Sequence, residues 1–530
     1  MSPSVPESRW SSLPEGDPAV FYDHALTGRF VTCDDLRDVI ALCRNGVVLV
    51  SEGYQDEIRV RNLLALIRIG WKAYRQTCPV SYQVLRDLST ERNPANAPED
   101  AGAMVNLARQ MFAEAARQRV SDIHLVMDTA GRMGTLLMRL FGDLREVRQM
   151  KLREAEELAG VIYGVMAEEG DGHYNPSAPQ KARIGTRAGH LPAGLHGIRI
   201  QSTPLLGGSM MVLRLLPQDV GVGGDCLVDT LQELGYTSDQ GSEMSRLLDH
   251  ASGVTVISGP TGSGKSTTLV AALKSLRSRQ QTRHILTLED PPEYQIEGVR
   301  QIPVQHDDWG RHIEDVMRLD PDIVMVGEVR SREGAVGTLR VANTGHLVLT
   351  TVHANSAWKI LARLLDLCAR PENQTLLYDP AVLRGLVAQR LVQRLCPECS
   401  LPLAPDDGSI PVQDARMLRD LLGQRWGGTR RRGPGCSACH AGHSPVAGVA
   451  GRTVVAEVVT TTRDLLQQAR MEGVEQAERV WRQRPGSLTM ARHWLMRFAQ
   501  GEVEYASRAG VDLVLEEEAG WSLEQTGGGK

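Results

Sequence analysis

The sequence lacks the features that would place it in a membrane or on nucleic acid. No apolar run approaches the ~18–20 residues that a membrane-spanning helix needs, and the first ten residues carry neither an apolar core nor a basic cluster. Aromatic residues make up only 4% of the chain, and the net charge of −5 provides no general basic field for nucleic acid or anionic lipid. We therefore expect a cytoplasmic protein with no secretory signal and no specific nucleic-acid partner.

Apolar and charged residues otherwise occur in ordinary globular proportions, 42% and 23% of a chain of 530 residues. This length exceeds what one hydrophobic core usually serves, so it predicts several domains. Residues 1–95 form a first region, in which apolar residues around 36–42 and 63–71 follow mixed helical spacing. This spacing predicts a small, mostly helical N-terminal domain.

The pattern changes after a polar stretch near residue 95. Residues 96–218 contain a helix followed by short strand-like segments, which predicts an α+β domain. Residues 219–530 alternate apolar strand candidates with amphipathic helices, as in an α/β sheet covered on both faces. Within this last region we expect a cysteine module at about 390–445 and a helical part at about 460–530.

A complete phosphate-loop motif follows the apolar segment Val254–Ile257. Its glycines let the backbone curl so that N–H groups face phosphate oxygens, while its lysine supplies a positive charge and its last serine a hydroxyl for magnesium. The loop predicts an ATP and Mg²⁺ site formed by Gly259, Pro260, Thr261, Gly262, Ser263, Gly264, Lys265 and Ser266, with Thr267 in the helix that follows.

Acidic residues and histidines follow or flank the next predicted strands. Glu289 and Glu293 come after one strand and Glu328 after another, where carboxylates could hold metal and orient water. His346 and His353 flank a third strand, and the prediction is that both lie beside the terminal phosphate and sense it; satisfied core or surface histidines are the alternative. A solvated loop end is the alternative interpretation for each acidic residue.

Four sequence blocks together resemble the ATPases of type II secretion systems and type IV pili, the GspE/PilB superfamily. The blocks are residues 259–266, 287–293, 318–330 and 344–356. The resemblance implies a hexameric ATP-hydrolysing motor with a RecA-like ATPase domain and a preceding PAS-like domain. It covers about residues 121–515.

The resemblance also implies roles for individual residues. It makes Glu328 the catalytic carboxylate, and Glu289 and Glu293 acidic residues that help position water and magnesium. It places two arginines of the preceding domain, Arg199 and Arg214, at the phosphates, where a guanidinium can neutralise charge on the transferring group. The alternative for these arginines is a solvated position on a strand edge.

The chain departs from the family pattern at three positions. Glu314 stands where an arginine is usual, Trp309 replaces a phenylalanine, and Ser331 replaces an aspartate after the block that contains Glu328. The resemblance therefore does not carry over the contacts made by the missing arginine or the missing aspartate.

Four cysteines form two paired knuckles, Cys396 with Cys399 and Cys436 with Cys439, separated by 36 residues. Four thiolates suit tetrahedral zinc and leave no open coordination position, so the predicted zinc ion is structural. Four free thiols are the alternative. The module also favours assembly-type motors within the family, since retraction-type motors generally lack it.

The basic run Arg430–Arg432 lies between the two knuckles and is either a solvated face or a docking surface, for an acidic patch of a membrane partner or for lipid headgroups. The resemblance implies that partner: a polytopic inner-membrane platform protein through which the motor drives pilin or pseudopilin assembly. A nucleic-acid-translocating motor, the ATPase of a conjugative or type IV secretion apparatus, and a nucleotide-binding scaffold without turnover stay open as alternatives.

Overall fold

The protein is described here by a computed structural model. The structure describes residues 27, 31, 39–51, 54, 58–80, 85, 99–170, 173–186, 189–218, 226–304, 308–404, 408–441, 446–511, 513–518 and 521. The chain divides into two compact units, residues 1–106 and 107–530. The domain limits expected near residues 95 and 218 stay predictions. Among the residues described, no helix has both the length and the apolar content that crossing a membrane requires.

The N-terminal unit is an α/β unit in its described part. Its elements are β1 (Ile40–Leu42), β2 (Val47–Ser51), α1 (Ile58–Gly70) and β3 (Gln76–Val80). Strand β2 pairs antiparallel with β1 and parallel with β3. All five residues of β2 are buried, because α1 packs on one face of the sheet and a second apolar cluster covers the other.

The mostly helical prediction for residues 1–95 is correct for α1 and wrong for the segment after residue 38. That segment is strand β1, which turns into β2 through Gly46 at φ +90°. A short apolar run that is fully buried has no periodicity that distinguishes a strand from a helix. Here the turn at Gly46 lets the run pair with β2 as a strand. Leu36, which contributed to the helical pattern, lies outside the described residues.

The second unit begins with an antiparallel seven-stranded sheet whose strand order is β6-β5-β4-β10-β9-β8-β7. The predicted α+β character of this region is confirmed. Helix α2 (Glu99–Arg117) contains the limit between the two units at residue 106. The elements that follow it are β4 (Asp122–Asp128), β5 (Met133–Leu140), β6 (Asp143–Lys151), α3 (Leu152–Val161) with a π-helical turn (Ile162–Met166), β7 (Glu169–Gly170), β8 (Gln180–Ile184), β9 (Leu195–Leu205) and β10 (Gly208–Pro217).

A second seven-stranded sheet follows, with the order β13-β12-β14-β15-β11-β16-β19; only β19 is antiparallel to its neighbour. Its strands and the preceding helices are α4 (Leu227–Leu234), α5 (Ser238–Leu248), β11 (Gly253–Ser258), α6 (Lys265–Arg279), β12 (Ile285–Glu289), β13 (Arg300–Pro303), α7 (Trp309–Val316), β14 (Ile323–Val326), α8 (Arg332–Asn343), β15 (Leu347–Val352), α9 (Ala357–Leu367), α10 (Pro371–Leu377) and β16 (Leu383–Leu395).

The remaining elements surround the cysteine pairs and close the sheet. They are β17 (Leu401–Pro402), α11 (Val412–Leu422), a 3₁₀ turn (Gly423–Gly428), β18 (Arg430–Arg431), α12 (Ser437–Ala441), β19 (Val449–Thr460), α13 (Arg463–Glu472), α14 (Val474–Arg482), α15 (Met490–Ala499) and two 3₁₀ turns (Tyr505–Val511, Leu515–Glu518). Glu518 is fully buried there, with Arg482 at 2.6 Å and Arg492 at 2.8 Å.

The central strands of the second sheet are buried on both faces, as expected for a parallel sheet covered by helices. In β11, Val254 and Val256 belong to one apolar core and Ile257 to the other. Burying such a side chain stabilises the fold by roughly 1.5–3 kcal/mol. The two cores hold the carboxyl ends of β11, β14 and β15 at one edge of the sheet, where loops carry the predicted site.

Candidate active site

The phosphate-loop sequence forms a strand–loop–helix turn between β11 and α6. Gly259, Gly262 and Gly264 adopt φ of +153°, +77° and +87°, a region that favours glycine. A Cβ atom at Gly259 would lie 2.4 Å from a backbone oxygen of β16, so no side chain fits there. The buried hydroxyl of Ser263 has no hydrogen-bond partner among the described atoms.

Lys265 opens α6 and its ammonium group lies over the loop. The Nζ atom donates to the carbonyl oxygens of Gly259 at 2.8 Å and Pro260 at 3.1 Å. Burial lowers the pKa of Lys265, and the charges of Glu328 and Glu293 oppose that shift. The loop thus carries a partly desolvated cation, which suits it to an anionic ligand.

Glu328 follows β14 at the same edge of the sheet. One carboxylate oxygen lies 2.8 Å from Arg330 Nη2 and the other lies 3.1 Å from His353 Nε2. Burial alone would raise the pKa of Glu328. Arg330, His353 and Lys265 lower it by more than burial raises it, so the pKa of Glu328 lies below its ordinary value. The carboxylate is therefore ionised beside the phosphate loop.

His353 joins Glu328 to the phosphate loop. It follows β15, which lies between β14 and β11 in the sheet, and its Nδ1 atom is 3.2 Å from the Gly259 carbonyl oxygen. Both neighbours, the Glu328 carboxylate and the Gly259 carbonyl oxygen, are hydrogen-bond acceptors. A phosphate group bound in the loop would be within the same cluster.

Glu289 and Glu293 lie at the end of β12 and on the loop after it. The Glu289 carboxylate accepts hydrogen bonds from Thr287 Oγ1 at 2.7 Å and Gln301 Nε2 at 2.9 Å. Burial raises the pKa of Glu289, and these two hydrogen bonds partly offset it. The charge of Glu293 acts on both Lys265 and Arg199, so the acidic loop faces the phosphate loop.

The two predicted arginines lie side by side on the antiparallel sheet. Arg183, Arg199 and Arg214 are direct cross-strand partners on β8, β9 and β10, so their side chains leave the same face. Arg199 Nη2 donates to the carbonyl oxygens of Asp290 and Pro291, both at 2.9 Å. Arg199 therefore contacts the acidic loop directly.

Arg214 is held within its own sheet instead. Its Nε atom donates to Asp122 Oδ1 at 2.9 Å, and Arg139 lies 3.8 Å from the other oxygen of that carboxylate. Asp122 is buried and is the cross-strand partner of both arginines. The structure thus brings Arg199 to the acidic loop and places Arg214 one strand away, bound to Asp122.

The prediction that His346 lies beside the phosphate site is wrong within this chain. Leu347 pairs with Gly253 at the amino end of β11, whereas the phosphate loop leaves the carboxyl end. The six residues of β15 separate the two edges by about 20 Å at ~3.3 Å per residue. His346 contacts Thr344 Oγ1 at 3.1 Å and the Val341 carbonyl oxygen at 3.2 Å instead.

Two departures from the family pattern have clear structural roles. Ser331 caps α8, because its hydroxyl accepts a hydrogen bond from the Gly334 N–H at 3.1 Å. Serine and aspartate are both strong N-caps, so the replacement keeps the function of that position. Trp309 is buried at the start of α7 in the core under the site. Glu314, also on α7, is exposed.

Sequence inspection missed two residues of β16 that contact the site. Gln389 is fully buried and donates from Nε2 to the Ser263 carbonyl oxygen at 2.8 Å. Arg390 donates from Nη2 to the backbone and side-chain oxygens of Asn355, both at 3.2 Å. The available signal was weak: the Gln389-Arg390 pair follows the apolar run of residues 386–388, but β16 also carries Arg384 and a second Gln-Arg pair at residues 393–394.

The four cysteines of the predicted zinc module come together as a single cluster. All four sulfur atoms lie within 4.8 Å of one another, with Cys396 and Cys436 at 3.7 Å and Cys436 and Cys439 at 3.9 Å. A tetrahedral zinc ion with ~2.3 Å bonds places its sulfurs about 3.8 Å apart. The Cys436 N–H also donates to Cys439 Sγ at 3.2 Å. The donor set therefore fits zinc.

The basic run between the knuckles is engaged in internal contacts. Arg430 Nη1 donates to the Ser400 carbonyl oxygen at 3.1 Å, beside the first cysteine pair. Arg432 Nη2 donates to Gln393 Oε1 at 2.6 Å and pairs with Glu504. These contacts favour a structural role for the two arginines over a docking surface.

Comparisons with known proteins agree with this geometry. The sequence model of the family described as "Type II/IV secretion system protein" matches residues 97–507. The type II secretion system protein E of Pseudomonas aeruginosa is 33% identical over 440 residues, which cover 79% of this chain and 81% of that protein. The type II secretion system ATPase E of Vibrio cholerae is also 33% identical, over 72% of this chain and 69% of that protein.

The Thermus thermophilus type IV pilus assembly ATPase PilB is 28% identical over 78% of this chain and 46% of its own length. Among solved structures, the pilus retraction motor PilT with bound ADP has a TM-score of 0.52 at 21% identity, covering 77% of this chain and 98% of that chain. The Legionella pneumophila ATPase DotB has a TM-score of 0.52 at 19% identity, over 78% and 95%. At such identities the two structures establish an α/β ATPase fold and no more.

Proposed function

Because the chain belongs to the family of type II/IV secretion system proteins, we propose that it is a hexameric motor ATPase. Hydrolysis of ATP would drive assembly of a type IV pilus or of a type II secretion pseudopilus. The curated relatives with the higher identities are type II secretion proteins. The nucleotide site on the second sheet carries the proposal.

The main support is the meeting of Lys265, Glu328 and His353 around one phosphate loop. Glu328 Oε1 is 3.1 Å from His353 Nε2, and His353 Nδ1 is 3.2 Å from the Gly259 oxygen. In this arrangement the loop N–H groups and Lys265 bind the phosphates, and Glu328 orients and accepts a proton from the attacking water. A purely structural cluster would not need an ionised carboxylate beside a phosphate loop.

Hard oxygen donors for magnesium are present at the same edge. The Ser266 hydroxyl belongs to the loop motif, and the charge of Glu293, on the loop after β12, acts on the neighbouring Lys265. Such oxygens suit Mg²⁺, which would neutralise charge on the β- and γ-phosphates. In this assignment Glu289 and Glu293 also hold the water network, and Thr267 follows the metal-binding hydroxyl in α6.

Arg199 and Arg214 complete the proposed site from the preceding domain. Arg199 already bonds to the acidic loop, so motion of the antiparallel sheet against the second sheet would move a guanidinium relative to the phosphates. We assign the antiparallel region as PAS-like and the second sheet as RecA-like. In a ring, phosphate release would change this contact and hence the relation between neighbouring subunits.

The zinc module and the membrane partner complete the proposal. Cys396, Cys399, Cys436 and Cys439 would hold a structural zinc ion, which would link the segment after β16 to the start of α12. The motor would work in the cytoplasm, docked on a polytopic inner-membrane platform protein. Specific nucleic-acid binding is not part of the proposed function.

The direct test uses purified full-length protein. Magnesium-dependent phosphate release that duplex DNA leaves unchanged, together with a hexameric mass by light scattering, would support the proposal. Stimulation by DNA of about tenfold or more would favour the nucleic-acid motor instead. Nucleotide binding without phosphate release would favour the scaffold alternative.

A further inference from the structure

A buried glutamine lies directly behind the phosphate loop. Gln389 sits on β16, where the register places it one residue beyond the partner of Ser258, next to the first residue of the loop. Its side chain is fully buried. Nε2 donates to the Ser263 carbonyl oxygen at 2.8 Å, and Oε1 accepts from Tyr236 OH at 2.6 Å and Thr268 Oγ1 at 3.0 Å.

The chemistry of its partners fixes the orientation of this amide. The Ser263 carbonyl can only accept, so it requires the NH₂ end of Gln389. Burial raises the pKa of the Tyr236 phenol, which therefore stays protonated and donates to the oxygen end. Thr268 donates to the same oxygen, so the amide cannot rotate without losing all three bonds.

The loop also packs against β16 without any intervening side chain. A Cβ atom on Gly259 would lie 2.4 Å from the Gln389 carbonyl oxygen. A Cβ atom on Gly264 would lie 3.2 Å from Gln389 Nε2. Both ends of the phosphate loop, Gly259 and Gly264, therefore pack directly against Gln389.

Peptide geometry links this contact to nucleotide binding. The C=O of Ser263 and the N–H of Gly264 belong to one planar trans peptide, so they point in opposite directions. Gln389 holds the carbonyl toward the sheet, which turns the Gly264 N–H away from the sheet, toward the concave side of the loop where phosphates bind.

We propose that Gln389 is a positioning residue of the nucleotide site: by holding the Ser263 carbonyl it presets the phosphate-binding conformation of the loop. This inference rests on the proposed function in that the loop binds nucleotide phosphates. It goes beyond the sequence motif, because the residue lies on another strand more than a hundred positions away. Thr268 and Tyr236 act on the loop through Gln389.

The chain contains a matched control. Gln240 on α5 is also buried, and its Nε2 atom donates to a backbone carbonyl, that of Ala456 at 2.7 Å. Gln389→Met and Gln240→Met thus remove the same type of buried hydrogen bond with a side chain of similar length. Only the first touches the phosphate loop.

The experiment is titration of each full-length variant with MgADP by calorimetry, alongside thermal unfolding. We expect Gln389→Met to weaken MgADP binding about tenfold, the equivalent of one lost neutral hydrogen bond. Gln240→Met should lower the unfolding temperature but change MgADP affinity less than about twofold.

Two results would overturn the inference: wild-type affinity in folded Gln389→Met, or equal losses in the Gln389→Met and Gln240→Met variants. If Gln389→Met does not fold, Tyr236→Phe is measured instead; it removes one of the two bonds to Oε1 and should weaken binding about threefold, and unchanged affinity would refute the role. Failure of the wild-type protein to bind MgADP would instead refute the proposed function.

Discussion

Replacing Glu328 by Gln separates catalysis from binding at the proposed site. In the wild-type chain the Glu328 carboxylate lies 2.8 Å from Arg330 and 3.1 Å from His353. Gln has the same shape as Glu and keeps one oxygen, which can accept a hydrogen bond from one of these two partners. The loop and the strands around it should therefore be unchanged. The variant loses the negative charge and the basicity, and a positioned base contributes about 10²–10⁴ in rate. We expect kcat to fall at least about 100-fold, equivalent to ~2.7 kcal/mol of transition-state stabilisation.

Nucleotide affinity should move in the opposite direction. Glu328 is ionised beside Lys265, so its charge repels the phosphates that Lys265 attracts. Removing that charge should leave the MgADP dissociation constant unchanged or lower it by up to about tenfold. Phosphate release over a range of ATP concentrations gives kcat, and calorimetry gives the affinity.

Glu472→Gln is the control for this substitution, since it makes the same chemical change at an exposed position of α13. It should keep wild-type turnover and affinity. A Glu328→Gln protein that folds and turns over within about threefold of wild type would show that another group activates the water.

Three further predictions concern the zinc module, a buried carboxylate and the sheet arginine. Elemental analysis of the full-length protein should find one zinc ion per chain. The Cys436→Ser variant should lose the zinc and unfold at a lower temperature. Equal zinc contents in the wild-type protein and in Cys436→Ser would exclude the four-cysteine site. Burial, with a smaller effect from Glu478, raises the pKa of Glu457 to about 7. The stability that this proton provides is lost as pH rises from about 4.5 to about 7. In urea unfolding, Glu457→Gln should therefore stabilise the protein by up to about 3 kcal/mol at pH 8 and by far less at pH 4. A gain in stability that does not depend on pH would contradict the assignment. Arg199→Ala removes two hydrogen bonds to the acidic loop and should lower kcat about tenfold or more without rescue by Arg199→Lys; unchanged kcat would leave Arg199 a merely structural residue.

The nucleotide site was predictable from sequence because its parts are local or share an edge. The phosphate loop is one continuous motif between a strand and a helix. Glu328 and His353 each follow a parallel strand, and the carboxyl ends of parallel strands meet at one edge. The same rule explains why the prediction for His346 was wrong. His346 precedes β15, so it lies at the opposite edge of the sheet from the phosphate loop.

Other features depend on contacts that no local pattern encodes. Strand β6 is exposed along almost its whole length, so it has no alternation of apolar and polar residues to read. The Gln389 network joins residues from α6, β16 and the turn after α4, which only the folded chain brings together. From the sequence, Ser331 suggested a lost interaction, because the family usually has an aspartate at this position. The start of α8 needs only an oxygen acceptor, which the serine hydroxyl provides.

The most direct test of ATP hydrolysis at this loop compares wild type with Lys265→Ala, using Lys151→Ala as a surface control. Wild type and Lys151→Ala should release phosphate from ATP in the presence of magnesium. Lys265→Ala should lose turnover and bind ATP at least about 100-fold more weakly, because its ammonium is the cation over the loop. Wild-type protein that releases no phosphate, or a folded Lys265→Ala protein with unchanged ATP affinity, would contradict the account.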